Sequence, residues 1–455
     1  MVARRDPHGR LPGPAPEVAT AVAPAILSTL LSEHDPKDIS FADLVLAFRP
    51  DPAAWDGRFA HDPWLQELPR PITRLVWGNA AFVAPATAEA RGLVHGELAR
   101  LTVADRSVDA PVYVLPGHPE QQITVHLGHG RRAPEPSAGF DAYPLRTRET
   151  LWFAPGLDVA PLADRAELVV DRHRGDEDQP GDAYARWLPR GDDARLPSPE
   201  LRPVSLHPTR ELGEHAWAMT IDLNACIGCN ACVIACQAEN NIPSVGAVEA
   251  ARDRMMHWIR IDTYADDRGD GPRWRFQPVP CMQCEHAPCE VVCPTGATQH
   301  SHDGLNDMTY NRCFGTRYCS NNCPYKVRRF NFFDYVERDT VTLRLQRNPD
   351  VTVRTRGVME KCTYCVQRIR GAEIAAHREG RAMGAVVTAC QGVCPARAIG
   401  FGDLARADDP VLAQRSEPRA YALLHELGTR PRTSYLARLH HPNPSLRGRS
   451  HTEDS

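Results

Sequence analysis

The residues of this chain that could do chemistry are its cysteines. There are 15, and all stand between Cys226 and Cys394. Thiols used only for packing would scatter along the sequence, so this crowding marks them as ligands. An odd count also rules out complete disulfide pairing within the chain. The first group is Cys226-x2-Cys229-x2-Cys232-x3-Cys236, and the second is Cys281-x2-Cys284-x4-Cys289-x3-Cys293-Pro294. The third is Cys313-x5-Cys319-x3-Cys323-Pro324. The last is Cys362-x2-Cys365, followed further on by Cys390-x3-Cys394-Pro395.

The spacing C-x2-C-x2-C-x3-C is the signature of bacterial ferredoxins. Three closely spaced thiolates wrap one iron–sulfur cube and the fourth reaches a neighbouring one. The proline after the last cysteine of three groups turns the chain away. Zinc is the competing reading, built from pairs of C-x2-C with four ligands per site. It gives the repeated C-x3-C-P step no role and leaves three thiols over after three complete sites. Disulfides rank third. No C-x2-C is followed by His, so covalent c-type haem is not expected in this chain.

Four complete groups would need one cysteine more than the sequence has, and the gap can be placed. In the third group the ferredoxin spacing calls for cysteine at position 316, where Thr316 stands. A hydroxyl is a hard, weakly acidic ligand and a poor substitute for thiolate on iron. The expectation is one [3Fe–4S] cluster at this site and three [4Fe–4S] clusters elsewhere. The alternative is a cube with an oxygen or exogenous ligand on its fourth iron.

The rest of the chain must position these groups. Hydrophobic residues make up 42% and charged residues 24% of the 455, ordinary for a folded chain. The length suggests two or three domains. Lys and Arg number 53 against 57 Asp and Glu, a net charge of −4, so nothing calls for nucleic acid or anionic lipid. Only Lys37, Lys326 and Lys361 are lysines. No run reaches the roughly 18 apolar residues of a spanning helix. Val18 to Leu31, interrupted by Pro24, reads as an amphipathic or buried helix. Arg4-Arg5 resembles a twin-arginine leader, but Asp6-Pro7-His8 breaks the pattern and leaves a polar N-terminal tail without an export signal. Membrane contact is then expected only through partners.

Along the chain, residues 1–50 read as a helical, Pro-rich segment and 51–150 as mainly β. A short helix at Ala86 to Arg91 is closed by Gly92. Leu98, Leu101 and Val103 face Val108, Val112 and Val114 across a turn at Ala104-Asp105-Arg106, and Ile123, Val125 and Leu127 alternate as a further strand. Residues 151–214 read as a linker or insertion, with RGDEDQP at 174–180. A strand at Trp217 to Leu223 leads into the cysteine domain, 215–404. The segment 405–455 reads as a poorly ordered tail with one helical pattern near Tyr421 to Leu427. His257, His300 and His302, the last two in a hairpin around Asp303-Gly304, read as hydrogen-bonded scaffold. The basic, aromatic run Tyr325 to Phe333 is either a docking surface or a buried strand whose two arginines cap cluster charge.

The four groups resemble those of the electron-transfer β subunits that accompany molybdopterin oxidoreductases such as polysulfide, nitrate and dimethylsulfoxide reductases. That resemblance implies exchange of ligands between the first and last groups and between the second and third. One cube would take Cys226, Cys229, Cys232 and Cys394, and the next Cys236, Cys362, Cys365 and Cys390. A third would take Cys281, Cys284, Cys289 and Cys323. The three-iron cluster would take Cys293, Cys313 and Cys319, opposite Thr316. The strings IDLNACIGCNACVIACQAENNIPSVG (221–246), PCMQCEHAPCEVVCPTGAT (280–298), YNRCFGTRYCSNNCPYKVRRFNF (310–332) and GVMEKCTYCVQRI (357–369) are similar to the iron–sulfur subunit of bacterial alternative complex III. Upstream, WLQELPRPITRLVWGNAAFVAPATA (64–88), VLPGH (114–118) and GFDAYPLR (139–146) resemble the β-barrel piece of that subunit's molybdopterin-enzyme-like half.

What the resemblance implies is an α+β chain: a tandem bacterial-ferredoxin-like domain with four iron–sulfur clusters, preceded by a mainly β barrel remnant resembling a molybdopterin dinucleotide-binding domain. It would relay electrons from quinol toward c-type cytochromes, with no catalytic site of its own and no molybdenum or haem. Its partners would be a polysulfide-reductase-like integral membrane quinol subunit and c-type cytochrome subunits, on the periplasmic face of the inner membrane. The family subunit is much longer, so the expectation is a truncated or split gene product or a fragmentary gene model. Two other readings stay open. One is the electron-transfer β subunit of a true molybdopterin oxidoreductase of the polysulfide or nitrate reductase type. The other is a non-redox metal-binding scaffold.

Overall fold

Alternating buried and exposed residues from Glu97 to Val114 fold back on themselves at Ala104, which takes a positive φ of 53° at the turn. A computed structural model of the chain describes residues 44–130, 138–171, 184–189, 213–267, 272–337 and 340–440. Its first unit is a seven-stranded sheet of β1 (Val45–Pro50), β2 (Ala81–Val83), β3 (Glu97–Val103), β4 (Arg106–Val114), β5 (Gln122–Leu127), β6 (Phe153–Ala154) and β7 (Leu157–Arg165), in the order β6-β1-β5-β2-β4-β3-β7. The pairs β1–β5 and β2–β4 are parallel and the remainder antiparallel. Leu46, Phe48, Leu101, Ile123 and Val125 fill its core.

Two expectations change here. The stretch ending at residue 50 contributes β1, an inner strand. The segment read as linker from 151 contributes β6 and the edge strand β7. The run VLAFRP is a short apolar block whose period fits helix and strand equally. β7 carries Pro161, which an edge strand accommodates because one side of its ladder is unpaired. The N-terminal helix expected at Val18 to Leu31, the Arg4-Arg5 pair and RGDEDQP at 174–180 lie outside the described residues.

The second unit continues with β8 (Trp187–Pro189), β9 (Trp217–Asp222), the hairpin of β10 (Arg260–Asp267) and β11 (Pro272–Val279), and the pair β12 (Thr298–His300) and β13 (Asn306–Met308). Then come the pair β14 (Arg329–Phe330) and β15 (Met359–Glu360), followed by β16 (Ile399–Asp403), β17 (Ala420–Tyr421), β18 (Thr433–Leu436) and β19 (Arg438–His440). β9 lies inside a four-stranded sheet of order β16-β9-β18-β17.

That sheet corrects the reading of 405–455 as a tail. Up to His440 the segment is structural: β18 runs parallel to β9, and Tyr435 is fully buried with its hydroxyl donating to Pro278 O at 2.8 Å. The same segment clamps the second cysteine group. Glu285 N donates to Arg430 O, His286 N to Thr429 O and Arg432 N to Met282 O. β18 is only four residues of TSYL, too short for periodicity to announce it. The helical pattern near Tyr421 is a two-residue strand and a single 3-10 turn.

The two units are in contact. Asn230 Nδ2, inside the first cysteine group, donates to Pro69 O at 2.5 Å. Val76 packs with Ala250 and Met255. Among the described residues no helix is long and apolar enough to cross a membrane.

Candidate iron–sulfur cages

Four short helices organise the thiols. Ala231–Glu239 carries Cys232 and Cys236, Pro288–Val291 carries Cys289, Tyr318–Asn321 carries Cys319, and Ala389–Val393 carries Cys390. Each belongs to a C-x3-C step, and the two helices carrying Cys289 and Cys319 stand between two cavities, each step giving one thiol to each. The local sequence fixes where the turns begin. Asn230 and Arg317 precede theirs in the left-handed region, at φ of 61° and 62°. Thr388 closes a capping box with Gln391. Gly228, at φ of 67°, lets the first loop pass Phe276, where a Cβ would come within 2.4 Å of the ring.

The first cavity is lined by Cys226, Cys229, Cys232 and Cys394. Another is lined by Cys281, Cys284, Cys289 and Cys323. A third is lined by Cys293, Cys313 and Cys319 together with Thr316. The remaining thiols also meet, since Cys236 lies close enough to Cys362, Cys365 and Cys390 to feel their charge. The structure thus places eleven of the cysteines around three cavities and the other four beside one another, with Thr316 at the cavity that has three thiols.

The sets form a line. Cys232 of the first feels Cys390 of the second, and Cys362 of the second feels Cys281 of the third. Arg328 lines both the cavity of Cys281, Cys284, Cys289 and Cys323 and that of Cys293, Cys313 and Cys319. Burial follows the same order. All eight cysteines of the two inner sets are buried, whereas Cys226, Cys229 and Cys394 at one end and Cys293 and Cys313 at the other reach the surface wholly or in part.

An anionic metal–sulfur group fits these cavities. The thiols surround space and do not converge on a point: among the described residues no three of His, Cys, Asp or Glu stand close enough for a single ion. A tetrahedral zinc site needs such convergence. Burial pushes the Cys226 and Cys289 thiols up to about 11 and Cys365 to about 12, and raises Cys232, Cys236 and Cys284 well above the ordinary value. Without metal these positions stay neutral, and a coordinated cation would deprotonate them. At Cys293 burial opposes ionisation, but hydrogen bonds from Thr298, Thr295 and Ala297 outweigh it and hold the thiol below its usual value. Asn306 supplies a second test. Its Oδ1 accepts from Arg328, which has only donors, so the buried Nδ2 on this cavity-lining residue is a donor without a partner among the described residues.

The histidines divide. His300 meets the scaffold expectation, its ring bonded to Glu290 and to Cys284 O, the latter at 2.8 Å. His302 is exposed. His257 does not meet it: it is buried, its ring nitrogens have no hydrogen-bond partner among the described residues, and burial lowers its pKa to about 4. The run Tyr325 to Phe333 is mostly interior, which corrects the docking reading. Tyr325, Val327 and Arg328 are buried, Arg329 and Phe330 form β14, and Lys326 and Phe333 are exposed. Of the two arginines, Arg328 reaches a cysteine thiol. Arg329 donates instead to His257 O at 3.0 Å.

Sequence reasoning missed Glu67. Its fully buried carboxylate accepts from Trp77 Nε1, Ser244 Oγ and the backbone N–H groups of Val245 and Gly246, joining the two units. Nothing in the string WLQELP marks it, because its donors lie far away in sequence.

Comparison with known proteins agrees with the chemistry. Two family models described as 4Fe-4S dicluster domain match residues 225–297 and 272–342. The sequence is 40% identical over 232 residues to the menaquinone reductase iron–sulfur cluster-binding subunit of Nitratidesulfovibrio vulgaris, covering 49% of this protein and 89% of that one. It is 35% identical to a selenate reductase subunit of Mesobacillus selenatarsenatis, covering 50% and 74%. It is 31% identical to a polysulfide reductase subunit of Wolinella succinogenes, covering 48% and 91%. With thiols at ferredoxin spacing gathered around shared cavities, and relatives of this kind matched over most of their length, the protein belongs to the iron–sulfur β-subunit family of molybdopterin-type oxidoreductases.

Proposed function

We propose that this chain is the electron wire of a membrane-associated quinone-linked oxidoreductase, the β subunit of a molybdopterin-type complex. The observation that carries this reading is the line of four thiol sets with two buried in the middle and one near the surface at each end. Iron–sulfur clusters bound there supply one-electron relays whose potentials, roughly −700 to +450 mV across such proteins, depend on hydrogen bonding and exposure. The chain's own part is to hold the thiolates, keep water from the inner sets and leave both ends accessible to partners.

The ligand sets proposed are those the family resemblance implies, supported for three of them by the cavities their thiols line. Three [4Fe–4S] clusters take Cys226, Cys229, Cys232 and Cys394; Cys236, Cys362, Cys365 and Cys390; and Cys281, Cys284, Cys289 and Cys323. A [3Fe–4S] cluster takes Cys293, Cys313 and Cys319, with Thr316 at the vacant position. The partners are an integral membrane quinol subunit and a catalytic subunit, and the reaction centre lies in them. The relatives named for menaquinone and polysulfide reductases support this reading over the alternative complex III reading.

The seven-stranded sheet on the same chain favours that second reading. Its segments 64–88, 114–118 and 139–146 carry the resemblance to a molybdopterin-enzyme-like half, and the complex would then pass electrons from quinol to c-type cytochromes on the periplasmic face. Identification of the subunits that co-purify separates the two. Low-temperature EPR with iron and sulfide analysis tests the wire itself. A sharp signal from the oxidised protein and three irons at one site are expected. Loss of that signal with four irons at every site would overturn the three-iron assignment, and a colourless zinc protein would overturn the wire.

A further inference from the structure

Arg328 is buried, at 5% exposure, between two of the thiol sets. Its Nη2 donates to Cys289 Sγ at 3.0 Å, to Thr298 Oγ1 at 2.8 Å and to Asn306 Oδ1 at 3.1 Å. It also hydrogen-bonds the thiol of Cys319, which belongs to the neighbouring set. Among the described residues no carboxylate pairs with it. A buried cation without a counter-charge is strongly destabilising, so the negative partners of this guanidinium are the thiolates on its two sides. Its fork geometry suits the task, because donors at fixed angles can serve two neighbours at once. Thr298 and Asn306, on facing strands β12 and β13, hold it in place.

We propose that Arg328 is a shared electrostatic regulator of the two clusters held by the Cys281–Cys284–Cys289–Cys323 and Cys293–Cys313–Cys319 sets, raising the reduction potentials of both together. The proposal rests on the wire reading above. Each one-electron reduction adds negative charge beside the guanidinium, and a cation at hydrogen-bond distance in a poorly screened interior stabilises the reduced state more than the oxidised one. A shift of the same sign at both sites leaves the driving force between these neighbours little changed while making both easier to reduce.

The test is EPR-monitored redox titration of the cluster-loaded protein and of R328M and R328K. R328M is expected to make both clusters at least tenfold harder to reduce, about 59 mV for a one-electron couple, with the clusters of the Cys226 and Cys236 sets unmoved. R328K keeps the charge but loses the fork, so a smaller, unequal shift is expected. Unchanged potentials at both sites would overturn the proposal. Loss of iron from all four sites in both variants would also do so, since it would mark Arg328 as a general folding residue. If wild-type EPR shows no three-iron signal, the cluster assignment fails separately, because the paired shift is read on whatever clusters the two sites hold.

Discussion

The carboxylate of Glu67 accepts a hydrogen bond from Val245 N at 2.9 Å, tying the seven-stranded sheet unit to the loop that follows the first cysteine helix. Burial raises its pKa from 4.5 to about 7, despite the donors that favour the charged form. A carboxyl held protonated by the fold contributes stability below its unfolded pKa and loses it as pH rises through the folded one. At about 1.4 kcal/mol per pH unit this is on the order of 3 kcal/mol. Wild type is therefore expected to lose stability between pH 4.5 and 7 relative to E67Q. Thermal midpoints of the two proteins across that range check this, and parallel profiles would refute it.

Thr316→Cys supplies the ligand that the third group lacks. The variant should bind one more iron per chain and lose the oxidised-state EPR signal assigned to a three-iron cluster. Iron analysis beside the spectrum decides, and a retained signal with unchanged iron counts against Thr316 as the vacant position.

Cys226 and Cys394 are distant in sequence and line one cavity. C226A and C394A should each lose the same cluster, and the double variant should lose no more than either alone. Comparison of the three EPR spectra tests this. Loss of different clusters would break the assigned set.

Tyr435 ties the last described segment to β11 through Pro278 O. Y435F should cost about 1 kcal/mol for the hydrogen bond and Y435A about 3–5 kcal/mol for the lost aromatic packing. Denaturation midpoints of the cluster-loaded protein give both values. A neutral Y435A would return this segment to the status of an appendage.

The cysteine chemistry was legible because ligand spacing is local: C-x2-C and C-x3-C are set within a turn or two of chain, and Thr316 stood out against that pattern. The β3–β4 hairpin was legible for the same reason. β1 was not, because a short apolar run has no distinguishing period. β18 was not, because its four residues are a strand only beside β9. Arg328 was visible as one of two arginines, but only the fold could separate it from Arg329. Glu67 was hidden altogether, since the cost of burying a carboxylate depends on residues from another unit.

The pairing of the first thiol group with the last also constrains how the protein is made. A ribosome delivers Cys226 long before Cys394, and β18, which pairs with the strand β9 that leads into the first thiol group, emerges later still. That cavity therefore cannot be completed until Cys394 has followed its first three thiols off the ribosome. A nascent polypeptide that stalls before Cys394 lacks one of the four thiols that line this cavity.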